Sequence, residues 1–177
     1  MIADREALVR PSKAPASDRG RVLTLDRWTG GFLACAGVLI VAGGGVAAVN
    51  SAAPFGHGSW LAAYLVLVGG VSQILLRAGQ LALGAPRLNP AVPPTQLVLW
   101  NLGSLVVPAG VLADVALLVT AGSVALLAAL TLFGVGAGRM RREARGRSAL
   151  YLAIILGLAV SVVVGSALAD AAPGIWL

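Results

Sequence analysis

The chain has 177 residues, of which 58% are hydrophobic and 11% charged, with a mean hydropathy of +0.90 and a net charge of +6. A water-soluble domain of this length has too little interior to hide that much apolar surface, so the composition excludes one and points to a polytopic membrane protein. With a single cysteine, Cys35, neither a disulfide framework nor a thiolate metal cage can be built within the chain.

Residues 1–27 are polar and carry Arg5, Arg10, Lys13, Arg19, Arg21 and Arg27, with Pro11 and Pro15 among Ala and Ser. They read as a mobile basic arm on the cytoplasmic side. Asp4, Glu6, Asp18 and Asp26 dilute its charge and no aromatic platform accompanies it. It is therefore expected to meet anionic lipid headgroups rather than nucleic acid.

Residues 28–177 form the membrane domain, an all-α bundle of five spans. Span one covers about 29–49. It is longer than the roughly 7–15 apolar residues of a signal peptide, and Pro54 stands against cleavage at Ser51-Ala52-Ala53, so it is expected to persist as an anchor. Span two covers about 59–76, span three 96–112, span four 115–137 and span five 149–169. Between spans two and three, the stretch from Gly79 to Thr95 contains Pro86, Pro90, Pro93 and Pro94 and reads as a loop, with a short interfacial piece at Leu81-Ala82-Leu83.

This threading puts every Lys and Arg on one side. Arg77 and Arg87 follow span two, and Arg139, Arg141, Arg142, Arg145 and Arg147 follow span four, whereas the connection from Asn50 to Gly58 and the turn at Ala113-Asp114 carry none. By the positive-inside bias the N-terminus lies in the cytoplasm and the C-terminus outside. The Arg139 to Arg147 cluster is expected to touch lipid headgroups. Trp28, Trp100 and Tyr151 fall toward the inner interface and Trp60, Tyr64 and Trp176 toward the outer, where amphipathic rings anchor helices. A composition rich in Ala, Gly, Val and Arg fits a bacterial cytoplasmic membrane.

Lipid tails are as apolar as Leu, so spans associate through close backbone approach and polar contacts. Ala153, Gly157, Ser161, Gly165 and Ala169 recur every fourth residue along span five and read as a packing face, inside the bundle before any dimer seam. Leu at Gly157 and Gly165 is expected to lower thermal stability. Gly134 and Gly138 repeat the spacing on span four, and Gly69 and Gly70 notch span two.

Polar groups within the spans are few. Gln73 and Asn101 come to similar depth on adjacent antiparallel helices and are expected to pair. Asn101, Ser104 and Pro108 share a face of span three, and Pro108 frees the Ser104 carbonyl for a hydroxyl such as Thr120 or Ser123. Gln73, Asn101 and Ser104 thus form a polar intramembrane cluster. No ionisable side chain is expected in the middle of a span, which counts against a proton relay, an ion-coupled transporter or a voltage sensor.

His57, the only histidine, opens span two in the run Phe55-Gly56-His57-Gly58-Ser59-Trp60. Metal sites want several donors, and Met1 and Met140 lie on the other side, so His57 alone builds only a five-coordinate haem or one shared across a dimer. The run His57-Gly58-Ser59-Trp60-Leu61, with Gly69 and Gln73 beyond it, resembles the His-Gly helix openings of small haem-copper-oxidase-like and NnrS-like bacterial membrane proteins. The resemblance spans one helix of five, and it implies haem at His57.

The chain has no Walker lysine loop, HExxH, Gly-x-Ser-x-Gly, Cys-x-x-Cys or intramembrane Asp pair, and Ser104 lacks a base. The expectation is a non-catalytic accessory or assembly partner of a membrane complex, associating with a membrane protein or with itself. Two alternatives are a haem-binding, respiratory-linked protein and a small-solute permease working through Gln73, Asn101 and Ser104.

Overall fold

The computed structural model describes residues 27–83, 89, 91–138 and 145–171. The arm, Arg87, Arg139, Arg141, Arg142 and Trp176 lie outside the described residues, as do the side chains of Gly138, Arg145 and Ala169. Five helices account for the described chain: α1 (Arg27–Ala52), α2 (Gly58–Ala82), α3 (Val92–Leu112), α4 (Ala116–Gly138) and α5 (Arg145–Ala171). Each is long and apolar enough to cross a membrane. The shortest, α3, has 21 residues, about 30 Å at 1.5 Å per residue.

The ends of α2 and α3 correct the expected loop between them. Gly79 to Ala82 continue α2, and Pro93 and Pro94 belong to the first turn of α3. Proline is harmless there because the first N–H groups of a helix have no intrahelical acceptor to lose. Asn89 starts the turn: its side-chain oxygen accepts the Ala91 N–H at 3.1 Å and its carbonyl the Val92 N–H at 2.8 Å.

Two antiparallel hairpins, α1–α2 and α3–α4, make the body, and α5 lies along α4. Both hairpins close through glycine. In α3–α4, a methyl group added at Gly103 would stand 2.8 Å from the Gly122 carbonyl oxygen, and one at Gly122 would stand 2.8 Å from the Val107 nitrogen. Gly103 and Gly122 are nearly equidistant from the Ala113-Asp114 turn, so a tight antiparallel hairpin sets them opposite each other. In α1–α2, a methyl group added at Gly43 would stand 2.9 Å from the Ala62 carbonyl oxygen, while Gly69 and Gly70 receive Leu39 and Ile40. Without a hydrophobic driving force between helices, this proximity is what gives the packing its dispersion energy.

The core lies toward one end, where Phe32, Leu76, Trp100, Leu126, Ala129, Leu130, Phe133 and Tyr151 cluster. Phe133 meets Phe32 and Trp100 edge to face, with centroids 6.0 and 6.3 Å apart. Trp100 is 1% exposed and Tyr151 4%, so neither is the interfacial anchor expected of it. Each ring is buried because its polar tip finds a carbonyl on α2: the Trp100 indole N–H donates to Val68 at 3.2 Å and the Tyr151 hydroxyl to Leu76 at 3.1 Å.

The small-residue stripe of α5 is likewise corrected. Tyr151, Ile155, Leu158, Ala159 and Val162 pack on the core, whereas Ala153, Gly157, Ser161 and Gly165 are exposed, and no atom lies within 4 Å of a side chain built at Gly157 or Gly165. Gly134 is equally free. Large side chains at the facing positions of α5 give the α4 contact its area, and the glycines fall on another face.

Candidate functional site

The polar side chains of the bundle collect on α2, and a distortion of that helix places them. Residues Leu65–Val71 form a π-helical turn between α-helical halves, Gly58–Tyr64 and Ser72–Ala82. A π turn is one residue wider than an α turn and leaves carbonyls of the ladder available to outside donors. Three side chains use them: the Ser72 hydroxyl donates to Leu67 at 2.8 Å, Gln73 Nε2 to Gly69 at 2.6 Å and Trp100 to Val68, while Tyr151 donates to Leu76 in the α-helical half below.

Below the wide turn, α2 buries Ser72, Gln73, Leu76, Arg77 and Gln80 on one side. Asn101 Nδ2 donates to Gln73 Oε1 at 3.2 Å and to its own Leu97 carbonyl at 2.8 Å. These amides spend their hydrogen bonds on each other and on their own helices. Ser104 does not join them. It is fully buried, its hydroxyl has no partner among the described residues, and no base touches it. Thr120 is exposed and bonds the Ala116 carbonyl of its own helix at 3.1 Å, so it does not serve α3; Ser123 is buried.

The sequence places Arg77 just past the end of span two; it is inside α2 and 6% exposed. Its Nε donates to Thr29 Oγ1 at 3.1 Å, an η nitrogen donates to Gln80 Oε1 at 3.4 Å, and the guanidinium lies 5.8 Å from the Phe32 ring centroid. It stands about one and a half turns from the end of the helix, within the depth at which arginine reaches a headgroup layer along its own stem. Gln80 and Gln96 are also fully buried, and Gln80 Nε2 and both polar atoms of Gln96 have no partner among the described residues. Thr29, Gln80 and Gln96 were missed because they lie near span ends, where polar residues ordinarily face headgroups. A hydropathy window reads Arg77 as a span end for the same reason. The Arg77–Thr29 bond joins α2 to α1, and the Asn101–Gln73 bond joins α3 to α2.

His57 lies at the opposite end of the bundle, half-buried, in the left-handed conformation at the N-cap of α2 (φ 65°). Its side chain makes no capping hydrogen bond; its carbonyl accepts the Leu61 N–H at 2.8 Å. The connection is clasped by Asn50, another residue that sequence reasoning passed over. Asn50 Nδ2 donates to Ser59 Oγ at 3.0 Å and its Oδ1 accepts the Phe55 N–H at 3.1 Å. A left-handed histidine costs up to about 1 kcal/mol relative to glycine. His57→Gly is therefore expected to raise the denaturation midpoint slightly, as circular dichroism in detergent will show.

Among the described residues no three of His, Cys, Asp and Glu gather around a point, and Cys35 is a free thiol in α1. The nearby cavity is lined from Trp60 inward and does not include His57.

Arg77, Thr29 and Tyr151 meet at one end, with Arg27 and Arg147 at the helix starts beside them, and Asp114 lies in the α3–α4 turn at the other. Comparison with protein-family models, with curated proteins and with solved structures finds no match for this chain.

Proposed function

We propose that this chain is a multi-pass protein of the cytoplasmic membrane, with its Arg77 end in the cytosol and its His57 end outside, acting without catalysis as an accessory or assembly partner of a membrane complex. Support for insertion comes from the bundle exterior, where Val41, Leu117 and Leu150 are 74%, 77% and 66% exposed, a surface suited to acyl chains. The clustering of arginine at one end supports the orientation, with the Arg139 to Arg147 segment against anionic headgroups.

One observation carries the partner role. α5 is held to the bundle along one side, and its Ala153 and Gly157 face away from every other helix. Glycine costs a helix about 1 kcal/mol relative to alanine, and lipid returns nothing for it. A neighbouring helix does, by approaching closely. The amide pair of Gln73 and Asn101, closed on itself, favours this role over solute transport.

Gly157→Leu is accordingly expected to leave the melting temperature of the isolated chain unchanged while removing its companion on mild-detergent purification from native membranes. Companion-free purification of the wild type would overturn the partner role. A reporter fused after Leu177 is expected outside; activity in the cytosol would overturn the orientation.

A further inference from the structure

At the His57 end a gap separates part of α5 from α2. At the other end Tyr151 ties α5 to α2, bonding the Leu76 carbonyl and packing over Gly79. Four-residue steps on an α-helix drift by about 40° each, so the stripe that faces outward at Gly157 has turned toward α2 by Ser161 and Gly165. Between them is a cavity of about 350 Å³, lined by residues that include Trp60 and Tyr64 of α2, Val107 of α3, Ser123 of α4, and Ser161 and Gly165 of α5. This is the size range of small-molecule sites.

The chemistry of the wall is specific. Trp60 and Tyr64 form a tilted aromatic pair with centroids 5.2 Å apart, and the Tyr64 hydroxyl is buried without a hydrogen-bond partner among the described residues. Ser123 and Ser161 add two more hydroxyls. Among the described residues, no Asp, Glu, Lys, Arg or His lines the space. A carboxylate or phosphate would be stranded there without a counter-charge, whereas a pure hydrocarbon would leave the Tyr64 hydroxyl unmet.

We propose that this cavity binds an uncharged, membrane-dissolved amphiphile through one hydroxyl or carbonyl oxygen, which pairs with Tyr64 while its apolar body lies between α5 and the α3–α4 hairpin. The site is independent of the partner role, which uses Ala153 and Gly157. Its polar group enters from the His57 end and its tail follows the valine-lined wall.

The test is thermal unfolding of the full chain in lipid nanodiscs with 1-decanol, decane or decanoate as probes. 1-Decanol is expected to raise the melting temperature of the wild type by several degrees, saturably, with a smaller shift from decane and none from decanoate. Tyr64→Phe is expected to reduce the alcohol shift to that of the alkane. Gly165→Leu fills the cavity from a position with no atom within 4 Å, so it is expected to fold normally and lose the response to both. Equal shifts in wild type and Gly165→Leu would mean an effect on the bilayer alone and would overturn the proposal, as would no shift with 1-decanol, equal shifts with 1-decanol and decane, or a decanoate shift as large as that of the alcohol.

Discussion

Gly122→Leu is expected to destabilise the bundle by about 3 kcal/mol or more, at or beyond the upper end of overpacking costs. Here the obstruction is backbone. A side chain at Gly122 meets the Val107 nitrogen at 2.8 Å and the Gly103 carbonyl at 3.2 Å, and neither can rotate aside. α3 and α4 must then separate, forfeiting contact along the hairpin. Gly134→Leu, on the same helix but with no atom within 4 Å, is expected to stay within about 0.5 kcal/mol of wild type. Unfolding titrations with sodium dodecyl sulfate in mixed micelles measure both, and equal midpoints would show that close approach at Gly122 contributes nothing.

Trp100→Ala is expected to cost about 3–5 kcal/mol, the usual range for deleting a buried aromatic. The indole is 1% exposed and stacks edge to face with Phe133, so its loss opens a void between α2, α3 and α4. A second term separates from the first in Trp100→Phe. Phenylalanine keeps most of the packing but leaves the Val68 carbonyl without its donor, a loss of about 1–3 kcal/mol for a buried acceptor. The same titration is expected to place Trp100→Phe between wild type and Trp100→Ala. Coincidence of Phe with wild type would mean that the Val68 carbonyl needs no outside donor.

The number of helices and the tight turn at Ala113-Asp114 were legible because hydrophobic runs of membrane-spanning length are the strongest signal a chain can carry. The depth of Gln73 and Asn101 was legible too, since antiparallel neighbours fix height along the bundle axis. Direction around the axis was not. A four-residue repeat of small side chains names a face of α5 without saying which neighbour it turns to, and the facing positions were taken by Ile155, Leu158 and Ala159 instead. The rings of Trp100 and Tyr151 carried no mark distinguishing an interfacial anchor from a core residue, because both need one polar partner and a carbonyl serves as well as a headgroup. For Pro93 and Pro94 the ambiguity is local: proline ends one helix and begins the next with equal ease.

The wide turn in α2 sets the phase of everything that follows it. Because that turn holds one residue more than an α turn, rewinding Leu65–Val71 as ordinary α-helix at unchanged length would advance the lower half by about 100°. Ser72, Leu76 and Gly79 would then take the places of Gln73, Arg77 and Gln80, and the guanidinium would move to the exposed position of Ala78. Asn101 and Thr29 would each lose their link to α2, so the extra residue held in the wide turn is what keeps Gln73 and Arg77 turned toward α3 and α1.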